Sequence, residues 1–462
     1  MFYLQIKDFL EKVCNQITYK PIRKDISKEL ESHIEEAKEI YMHKGESEES
    51  AINKAITDMG DAETIGKTLN KIHKPKLDYK LFFLLLILLC FTFLVAGIKT
   101  TSHVFLEGEG PFFIKIIVYL IIGFTLGLAI YFMDYTKITK YSNYIYIASS
   151  ILVIYTVQSS NYQVNGIPYL NVGNIFTVSI STVAMPLFLI SFIGFIQNIG
   201  KHKVEFRVLN LETIKIDKSL IKIIVLSIFS LLLLASIPSL TSVFVLGMAY
   251  IIVATVKIIK DSQKKVTNIL KLWGVIFVLG IICIITLTTR PYLLERIITT
   301  FHPETDPEGL GWLGINRKLI IESANMFGEA GDMSNAIELF DEGTEYAFIS
   351  ILAHYGWIVA GLLIATIVFI SIKLIINSIK VKDAYGKMLI IGLSCLFIFQ
   401  SVCNVLMNLN LWFEAGFELP FVSYGGTGLI MNMVCLALIL SIYRRKDTCI
   451  HSQNENIANF IE

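Results

Sequence analysis

Several stretches of about 20 apolar residues dominate this sequence and constrain its fold more than any other feature. Residues 81–98, for example, contain no charged side chain. A stretch of this length is long enough to cross the hydrocarbon core of a bilayer as a single helix. Hydrophobic residues make up 54% of the chain, a share that favours a membrane protein over a soluble one.

We predict an all-α, polytopic membrane protein with about ten transmembrane helices. The approximate limits of these spans are 81–98, 112–132, 142–158, 176–197, 219–237, 239–258, 269–288, 346–375, 388–409 and 426–443. Lysines and arginines are concentrated in alternate loops, as at Lys137, Lys257 and Lys380. Because cytoplasmic loops carry such an excess, these loops and both termini are expected in the cytoplasm. The loop at 289–345 and the segment 416–428 are then expected on the outer face.

The first 75 residues differ from the rest because they are polar and predict a small cytoplasmic helical bundle. Ile26, Leu30 and Ile34 recur at helical spacing. Ser47 is suited to cap the next helix, and Gly60 to end it. The bundle is either a docking or regulatory module or a passive extension. The predicted domains are therefore the bundle at 1–75, a transmembrane domain at 76–446 and a cytoplasmic tail at 447–462.

Charge and cysteine usage exclude several classes of function. The formal net charge is +1, which indicates no nucleic-acid partner. The seven cysteines form no CxxC motif or His/Cys cluster, so neither a disulfide framework nor a structural zinc site is indicated. The polar start of the chain predicts no cleavable signal peptide.

The segment 416–428 contains Pro420, Ser423, Tyr424, Gly425 and Gly426 between two apolar runs. Proline and paired glycines disfavour a continuous helix. Non-helical backbone at membrane depth persists only where it is buried in protein or lines a wet cavity. We therefore interpret the segment as a loop in a polar cavity, with an ordinary turn as the alternative. Its acid, Glu418, is expected at the rim.

The loop at 289–345 is long enough to indicate a function of its own. Arg290 and Arg296 follow the seventh span, and their guanidinium groups suit either phosphate recognition or contact with lipid headgroups. Glu345 lies at the mouth of the eighth span. It could act as a general base, hold a divalent cation, or simply favour the N-terminus of that helix.

Two asparagines are further candidates for ligand binding. Asn165 lies in an outer turn that continues through Gly166 to Gly173, and Asn404 lies inside the ninth span. An amide inside a membrane span needs a hydrogen-bonding partner. Either residue could be purely structural.

Taken together, these motifs resemble those of the SEDS (shape, elongation, division and sporulation) family, which includes FtsW, RodA and SpoVE. Residues 419–428 (LPFVSYGGTG) are very similar to the family's C-terminal signature. Arg290-Pro291-Tyr292 with Arg296 resembles the family's outer loop. Thr344-Glu345-Tyr346 with Gly356 resembles its Thr-Asp-Phe motif and the glycine that follows. Asn165-Gly166 resembles its Asn-Gly turn. Asn404 stands where the family has an asparagine. The first 75 residues more weakly resemble the helical prefix domain of some permeases.

The resemblance implies a peptidoglycan glycosyltransferase of the bacterial cytoplasmic membrane. Such an enzyme polymerises lipid II at the outer face and works with a class B penicillin-binding protein. Glu345 takes the place of the family's essential aspartate as the base, with a divalent cation (Mg²⁺ or Mn²⁺) nearby. Arg290 and Arg296 bind the lipid diphosphate. Asn165, Asn404, Ser423, Tyr424, Gly425 and Gly426 are the further residues expected at the substrate.

The sequence also departs from the family pattern. Glutamate replaces aspartate at Glu345. The acid and lysine of the family's fourth span are missing in the region of Ser179, Ser181 and Ala184, and the aspartate of its Pro-Asp motif is Ser239 here. These departures leave two alternatives, namely a flippase for a lipid-linked precursor and a non-catalytic scaffold for a penicillin-binding protein.

Overall fold

The fold is taken from a computed structural model of the chain. It describes residues 2–18, 22–73, 78–101, 112–159, 162–164, 167–172, 176–197, 203–206, 214–237, 240–261, 295, 298–309, 311–331, 340, 344–413 and 416–446. The chain divides into two compact units. One, the N-terminal unit, comprises Met1–Asp78, Ile379–Ala384 and Ile442–Glu462, and the other, the membrane unit, comprises Tyr79–Ser378 and Tyr385–Ser441.

Four helices with a common hydrophobic core make up most of the N-terminal unit. They are α1 (Phe2–Gln16), α2 (Arg23–His43), α3 (Glu48–Met59) and α4 (Ala62–His73). The predicted apolar stripe of α2 is buried at Ile26, Leu30 and Ile34. The Ser47 side chain accepts a hydrogen bond from Ser50 N at 3.4 Å, and Gly60 ends α3 with a φ of 88°. The local predictions for this segment are confirmed.

Long apolar helices build the membrane unit. They are α5 (Tyr79–Thr101), α6 (Phe112–Phe132), α7 (Ile138–Ser159), α8 (Ile180–Gln197), α9 (Lys218–Ser236), α10 (Leu240–Asp261), the shorter α11 (Trp312–Ser323), α12 (Ala347–Lys380), α13 (Ala384–Asn408) and α14 (Gly426–Arg444). Apart from α11, each coincides with a predicted span. The span predicted at 269–288 lies outside the described residues. The architecture is that of an all-α polytopic membrane protein.

Seven helices of the described chain are long and apolar enough to cross a membrane. α7 is not among them because its sequence is more polar, and its Ser142 lies against α8. A Cβ on Gly194 of α8 would overlap Ser142 of α7. Tyr146 packs its ring 5.4 Å from Phe188 and 5.8 Å from Phe195. Small and aromatic residues at this interface let the two helices pack closely, as is typical inside membranes.

Two small antiparallel sheets were not predicted from the sequence. Strands β1 (Tyr162–Val164), β2 (Ile167–Val172) and β3 (Phe176–Val178) connect α7 to α8, and β4 (Lys203–Phe206) with β5 (Ile214–Asp217) connects α8 to α9. Tyr162 pairs with Tyr169, and Leu170 with Val178. Strands of three to six residues are too short to show a period of two, and the sequence of 165–173 predicts only a turn.

Glycines of α6 bring that helix against α14. A Cβ on Gly123 would lie 2.6 Å from Met433 Sδ, and one on Gly127 would lie 3.5 Å from Ala437 Cβ. Four residues separate Gly123 from Gly127, so both lie on one face of the helix. This small-residue face lets α6 pack closely against the middle of α14, at Met433 and Ala437.

A sharp kink at Gly356 divides α12 into a short first part and a long second part. Gly356 has φ 81° and ψ 179°, a conformation open essentially to glycine alone. The backbone groups released by the kink are satisfied by residues 325–330. Trp357 N and Ile358 N each donate at 3.0 Å, to Asn325 O and Met326 O respectively. The outer loop thus completes the hydrogen bonding of a broken membrane helix.

Replacing Gly356 with alanine should destabilise the membrane unit. The new Cβ would lie 2.6 Å from Asn325 O, and the backbone conformation itself costs a non-glycine residue about 1–3 kcal/mol. The apparent melting temperature in detergent should fall clearly. Gly361→Ala is the matched control, because a Cβ at this helical position meets nothing within 4 Å. Equal melting temperatures for the two variants would show that the kink is not needed.

Candidate functional site

Two buried asparagines on α13 organise the candidate site. Asn404 and Asn408 are four residues apart, on one face of the helix, and both are fully buried. Asn404 Nδ2 donates to the carbonyl oxygen of Glu345 at 2.8 Å and also to the carbonyl oxygen of Phe417. Asn408 Nδ2 donates to the same Glu345 carbonyl at 3.0 Å. These bonds attach Glu345 and the signature segment to one helix.

Glu345 lies in a single turn of 3-10 helix, Thr344–Tyr346, immediately before α12. Its backbone is held by the two asparagines, and its half-buried carboxylate accepts a hydrogen bond of 3.1 Å from Thr344 Oγ1. Tyr346 fixes the other end of the turn by packing edge-on against Phe340, with ring centroids 5.0 Å apart. The backbone of Glu345 is therefore fixed, and its carboxylate remains available at the mouth of the span.

The signature segment is non-helical from residue 416 to residue 425, as predicted. Ser423 Oγ accepts a hydrogen bond from Leu419 N at 2.8 Å, and Ser423 N donates to Leu419 O at 2.9 Å. Phe421 has a φ of 66°, and its carbonyl accepts a hydrogen bond from Thr92 of α5. Ser423 is buried and stabilises the loop itself.

The glycines at the start of α14 provide space for neighbouring side chains. A Cβ on Gly426 would overlap the ring of Tyr119 from α6. A Cβ on Gly425 would lie 3.1 Å from Glu418 Oε1, and one on Gly428 would lie 2.6 Å from Glu418 Oε2. Tyr424, between these positions, is half-buried. The glycine-rich sequence therefore allows α6 to pack closely and leaves room for the carboxylate of Glu418.

A polar cavity lies beside the signature segment. Its lining residues are Tyr169, Ser179, Ser181, Thr182, Met185, Thr241, Ser242, Val245, Gln400, Gly416, Phe417 and Glu418, and its volume is ≈ 50 Å³, enough for a few water molecules. Ser179, directly before α8, and Ser181 in its first turn mark the place where the sequence lacks the family's charged residues. Thr241 follows the altered Pro-Ser motif before α10. Two of the positions that depart from the family pattern, Ser179 and Ser181, therefore line this cavity, whereas Ser239 lies outside the described residues.

The sequence predicts Glu418 at the rim of a cavity. In the structure, Glu418 is one of the residues that line the cavity wall. The wall contains hydroxyl and amide groups but no lysine, arginine or histidine among its lining residues. Burial, and after it the negative charge of Glu345, raises the pKa of Glu418 to about 7. The negative charge of Glu345 therefore adds to the effect of burial and disfavours ionisation of Glu418.

The helix of the long outer loop, α11, is attached to the chain just beyond α13. Arg317 Nε donates to Asn410 Oδ1 at 2.8 Å, and Asn410 Nδ2 donates to Gly314 O at 2.7 Å. Sequence reasoning missed Asn408, Asn410 and Arg317. The spacing of Asn404 and Asn408 could have indicated a shared face, but their common backbone partner could not be predicted without the fold.

Of the residues predicted for the site, the structure brings together Glu345, Asn404 and the segment that contains Ser423, Tyr424, Gly425 and Gly426. Arg290, Arg296 and Asn165 lie outside the described residues. Within the described part of the chain, no three His, Cys, Asp or Glu side chains are grouped closely enough to hold a metal ion by themselves.

Comparison with known proteins shows related sequences whose names include an activity. A segment of 162 residues is 33% identical to "Peptidoglycan glycosyltransferase RodA" of Treponema pallidum and covers 34% of this chain and 37% of that protein. A segment of 153 residues is 27% identical to "Probable peptidoglycan glycosyltransferase FtsW" of Trichlorobacter lovleyi and covers 33% of this chain and 40% of that protein. The matched segments therefore span about two fifths of these relatives.

Two solved structures share the fold across most of the chain. One, described as "Structural coordination of polymerization and crosslinking by a peptidoglycan synthase complex", matches with a TM-score of 0.63 at 18% identity and covers 80% of this chain and 98% of that one. Thermus thermophilus RodA matches with a TM-score of 0.54 at 15% identity and covers 80% of this chain and 97% of that one. The sequence model of the FtsW/RodA/SpoVE family of cell cycle proteins matches residues 77–448, and this chain belongs to that family.

Proposed function

We propose that this protein is a peptidoglycan glycosyltransferase that polymerises lipid II at the outer face of a bacterial cytoplasmic membrane. The observation that carries the proposal is the double attachment at Asn404, which bonds the backbone of Glu345 and the backbone of the signature segment to one side chain. Residues 416–418 of that segment also line the polar cavity. The names of the curated relatives support the same activity. In this assignment both termini are cytoplasmic, with a prefix domain at 1–75, a transmembrane domain at 76–446 and a tail at 447–462.

In the proposed reaction, Glu345 acts as the general base. Its carboxylate takes the proton of the acceptor sugar's hydroxyl group while that oxygen attacks the anomeric carbon of the donor. The new carbon–oxygen bond replaces the bond to the lipid diphosphate, which leaves with the electron pair. Asn404 and Asn408 keep the backbone of Glu345 in place, so the base requires little reorganisation. Arg290 and Arg296 are proposed to bind the departing diphosphate.

The same residues are suited to a divalent cation, Mg²⁺ or Mn²⁺. Mg²⁺ is commonly bound through one or two carboxylates together with substrate phosphates. Glu345 and Glu418 provide two carboxylates that interact electrostatically, and the buried Oδ1 of Asn408 has no hydrogen-bond partner among the described residues. Glu345 and Glu418 would hold the ion, which when bound neutralises negative charge on phosphate oxygens.

A class B penicillin-binding protein is the proposed partner. The description of one structural neighbour names polymerisation and crosslinking in a synthase complex, and this chain shares that neighbour's fold. Polymerised glycan requires crosslinking by a second activity, which such a partner would supply. The polymerase and its partner are therefore best assayed together.

Replacing Glu345 with glutamine should abolish glycan synthesis. Purified protein, with and without a class B penicillin-binding protein, is incubated with labelled lipid II and Mg²⁺ or Mn²⁺. Loss of a general base should lower the initial rate by about 100-fold or more. Glu322→Gln is the matched control, because Glu322 is exposed on α11. Omission of the metal should reduce the rate of the wild type.

Three outcomes distinguish this proposal from its alternatives. Polymer from wild type and Glu322→Gln but not from Glu345→Gln supports it. Transfer of lipid II across liposomes without polymer would indicate a flippase. Full complementation of cell growth by Glu345→Gln, with no polymer from any protein, would indicate a scaffold and overturn the enzymatic assignment.

Replacing Asn404 with alanine should impair both stability and activity more than the same change at Asn408. Asn404→Ala leaves two buried carbonyl groups without a donor from this side chain, and each lost bond costs about 1–3 kcal/mol. Asn408→Ala leaves the Glu345 carbonyl bonded to Asn404. Apparent melting temperature and initial polymerisation rate should therefore fall in the order wild type, Asn408→Ala, Asn404→Ala. The reverse order would contradict the organising role of Asn404.

A further inference from the structure

We propose that a groove between α5 and α12 binds an anionic phospholipid of the inner leaflet, with Lys80 and Lys373 at its phosphate and an acyl chain along its apolar walls. The groove lies wholly within the membrane unit. Phospholipid binding there does not depend on the proposed reaction. Only the choice of leaflet rests on the proposed cytoplasmic position of both termini.

The groove is formed by one face of each helix. The lining residues are Tyr79, Lys80, Phe83 and Leu84 from the start of α5 and Phe369, Ile372, Lys373 and Ile376 from the C-terminal part of α12. Residues three or four positions apart share a helix face, which accounts for both sets. The volume of the groove is ≈ 520 Å³, within the range of about 300–1,000 Å³ that is usual for ligand pockets.

The walls of the groove are apolar and accessible. Phe83 is 63% exposed and Phe369 is 59% exposed, and both lie in helices that are long and apolar enough to cross a membrane. Large side chains keep a second helix backbone at a distance, whereas helix–helix contacts in membranes favour small residues. A flexible acyl chain can follow such a surface, so the shape of the groove favours a lipid over a transmembrane helix.

Two lysines interrupt this apolar lining. Lys80 is in the first turn of α5, and Lys373 lies seven residues before Lys380, the last residue of α12. Seven residues correspond to about 10 Å along a helix, so Lys373 belongs to the membrane span, where a charged side chain is a candidate functional group. Its aliphatic stem can follow the apolar wall while the ammonium group extends towards the lipid headgroups.

The formal charge of the groove is entirely positive among its described lining residues. Asp78, which precedes Tyr79 in the sequence, is buried and is not one of the lining residues. Lys373 has a further interaction within the protein, yet an ammonium group has three donors and can serve a phosphate oxygen as well. The groove therefore combines two cationic groups with an apolar surface.

This combination distinguishes between the available ligands. A free phosphate ion would use the lysines and leave the apolar walls uncovered. A zwitterionic phospholipid would cover the walls but bring its own cation to the lysines. An anionic phospholipid, such as phosphatidylglycerol, complements both parts. In the proposed orientation the groove opens to the inner leaflet, and basic pockets between transmembrane helices on that side are suited to anionic headgroups.

Phosphatidylglycerol binding to the full-length protein tests the site. Protein purified in detergent is titrated with phosphatidylglycerol or with phosphatidylcholine, and bound lipid is counted by native mass spectrometry. Wild type should bind phosphatidylglycerol more tightly. Replacing both lysines, Lys80→Gln with Lys373→Gln, should weaken that binding by about 25-fold, or about fivefold for each lysine. Binding of phosphatidylcholine should change little.

Two further double variants control for charge. Lys137→Gln with Lys140→Gln removes two exposed lysines outside the groove, at the same membrane face in the proposed orientation, and should bind phosphatidylglycerol as wild type does. Lys80→Arg with Lys373→Arg retains the charge and should retain the binding. Equal affinities of wild type and the groove glutamine variant, or an equal loss in the control variant, would overturn the proposal.

The apolar part of the site is tested with both lysines present. Ile372→Trp should obstruct the acyl chain and weaken the binding of phosphatidylglycerol. Ile375→Trp is the matched control, because Ile375 is 50% exposed on the same helix but does not line the groove. Equal binding by the two tryptophan variants would count against the lipid site. Displacement of phosphatidylglycerol by an equal concentration of inorganic phosphate would indicate an ion site instead.

Apparent melting temperature provides a second readout that tolerates a destabilising substitution. A ligand that binds the folded state raises the melting temperature as its concentration increases. Phosphatidylglycerol should therefore stabilise wild type, and the shift should be smaller for Lys80→Gln with Lys373→Gln, whatever the starting temperature of that variant. Equal shifts in the two proteins would contradict the assigned role of the lysines.

Photocrosslinking identifies the occupant of the groove in cell membranes. A photoreactive amino acid in place of Leu84, which lines the groove, should crosslink to phospholipid. A crosslink to the transmembrane helix of another protein instead would overturn the proposal. None of these measurements requires polymerisation of lipid II. A protein that binds phosphatidylglycerol in the groove but makes no polymer would contradict the proposed function alone, and a polymerase with no such binding would contradict only the lipid site.

Discussion

The amide of Asn404 is the interaction on which the rest of the candidate site depends. It serves two carbonyl groups, of Glu345 and Phe417, at points where the chain is not in a regular α-helix. A carbonyl buried at membrane depth without a donor is costly. One side chain of α13 donates to both carbonyl groups. It therefore couples the start of α12 and the signature segment to α13. The hydrogen bonds that satisfy the backbone carbonyl of Glu345 therefore also fix the position of the proposed base.

The same requirement explains the other irregular part of this region. The kink at Gly356 releases backbone groups of α12, and the outer loop supplies their partners. The carbonyls of Asn325 and Met326 accept from N–H groups of α12, whereas the N–H groups of Gly328 and Ala330 donate to its carbonyls. Arg317 and Asn410 then attach α11 to the chain after α13. The outer loop is thus a structural partner of the broken helix. A membrane protein can place irregular backbone near a substrate only where such internal partners exist.

Much of this fold could be predicted from the sequence because apolar runs of membrane length have few alternatives. The α2 stripe and the Ser47 cap were likewise predictable, since both depend on residues within a few positions of each other. The position of Glu345 at the start of α12 followed from the same local pattern. The roles of Asn408 and Asn410 could not be predicted, because their partners lie 63 and 93 positions away. The short strands β1 to β3 also left no periodic signal.

The family resemblance identified positions at which this sequence lacks charged residues of the family. The structure shows that two of these positions, Ser179 directly before α8 and Ser181 in α8, line the polar cavity that contains Glu418. Thr241 of α10 lines it as well. The wall around this carboxylate of the signature segment therefore contains hydroxyl groups and no lysine, arginine or histidine among its lining residues. Burial, and after it the negative charge of Glu345, raises the pKa of Glu418. The acid that the sequence left unexplained directly follows Phe417, whose carbonyl shares the Asn404 amide with the carbonyl of the proposed base.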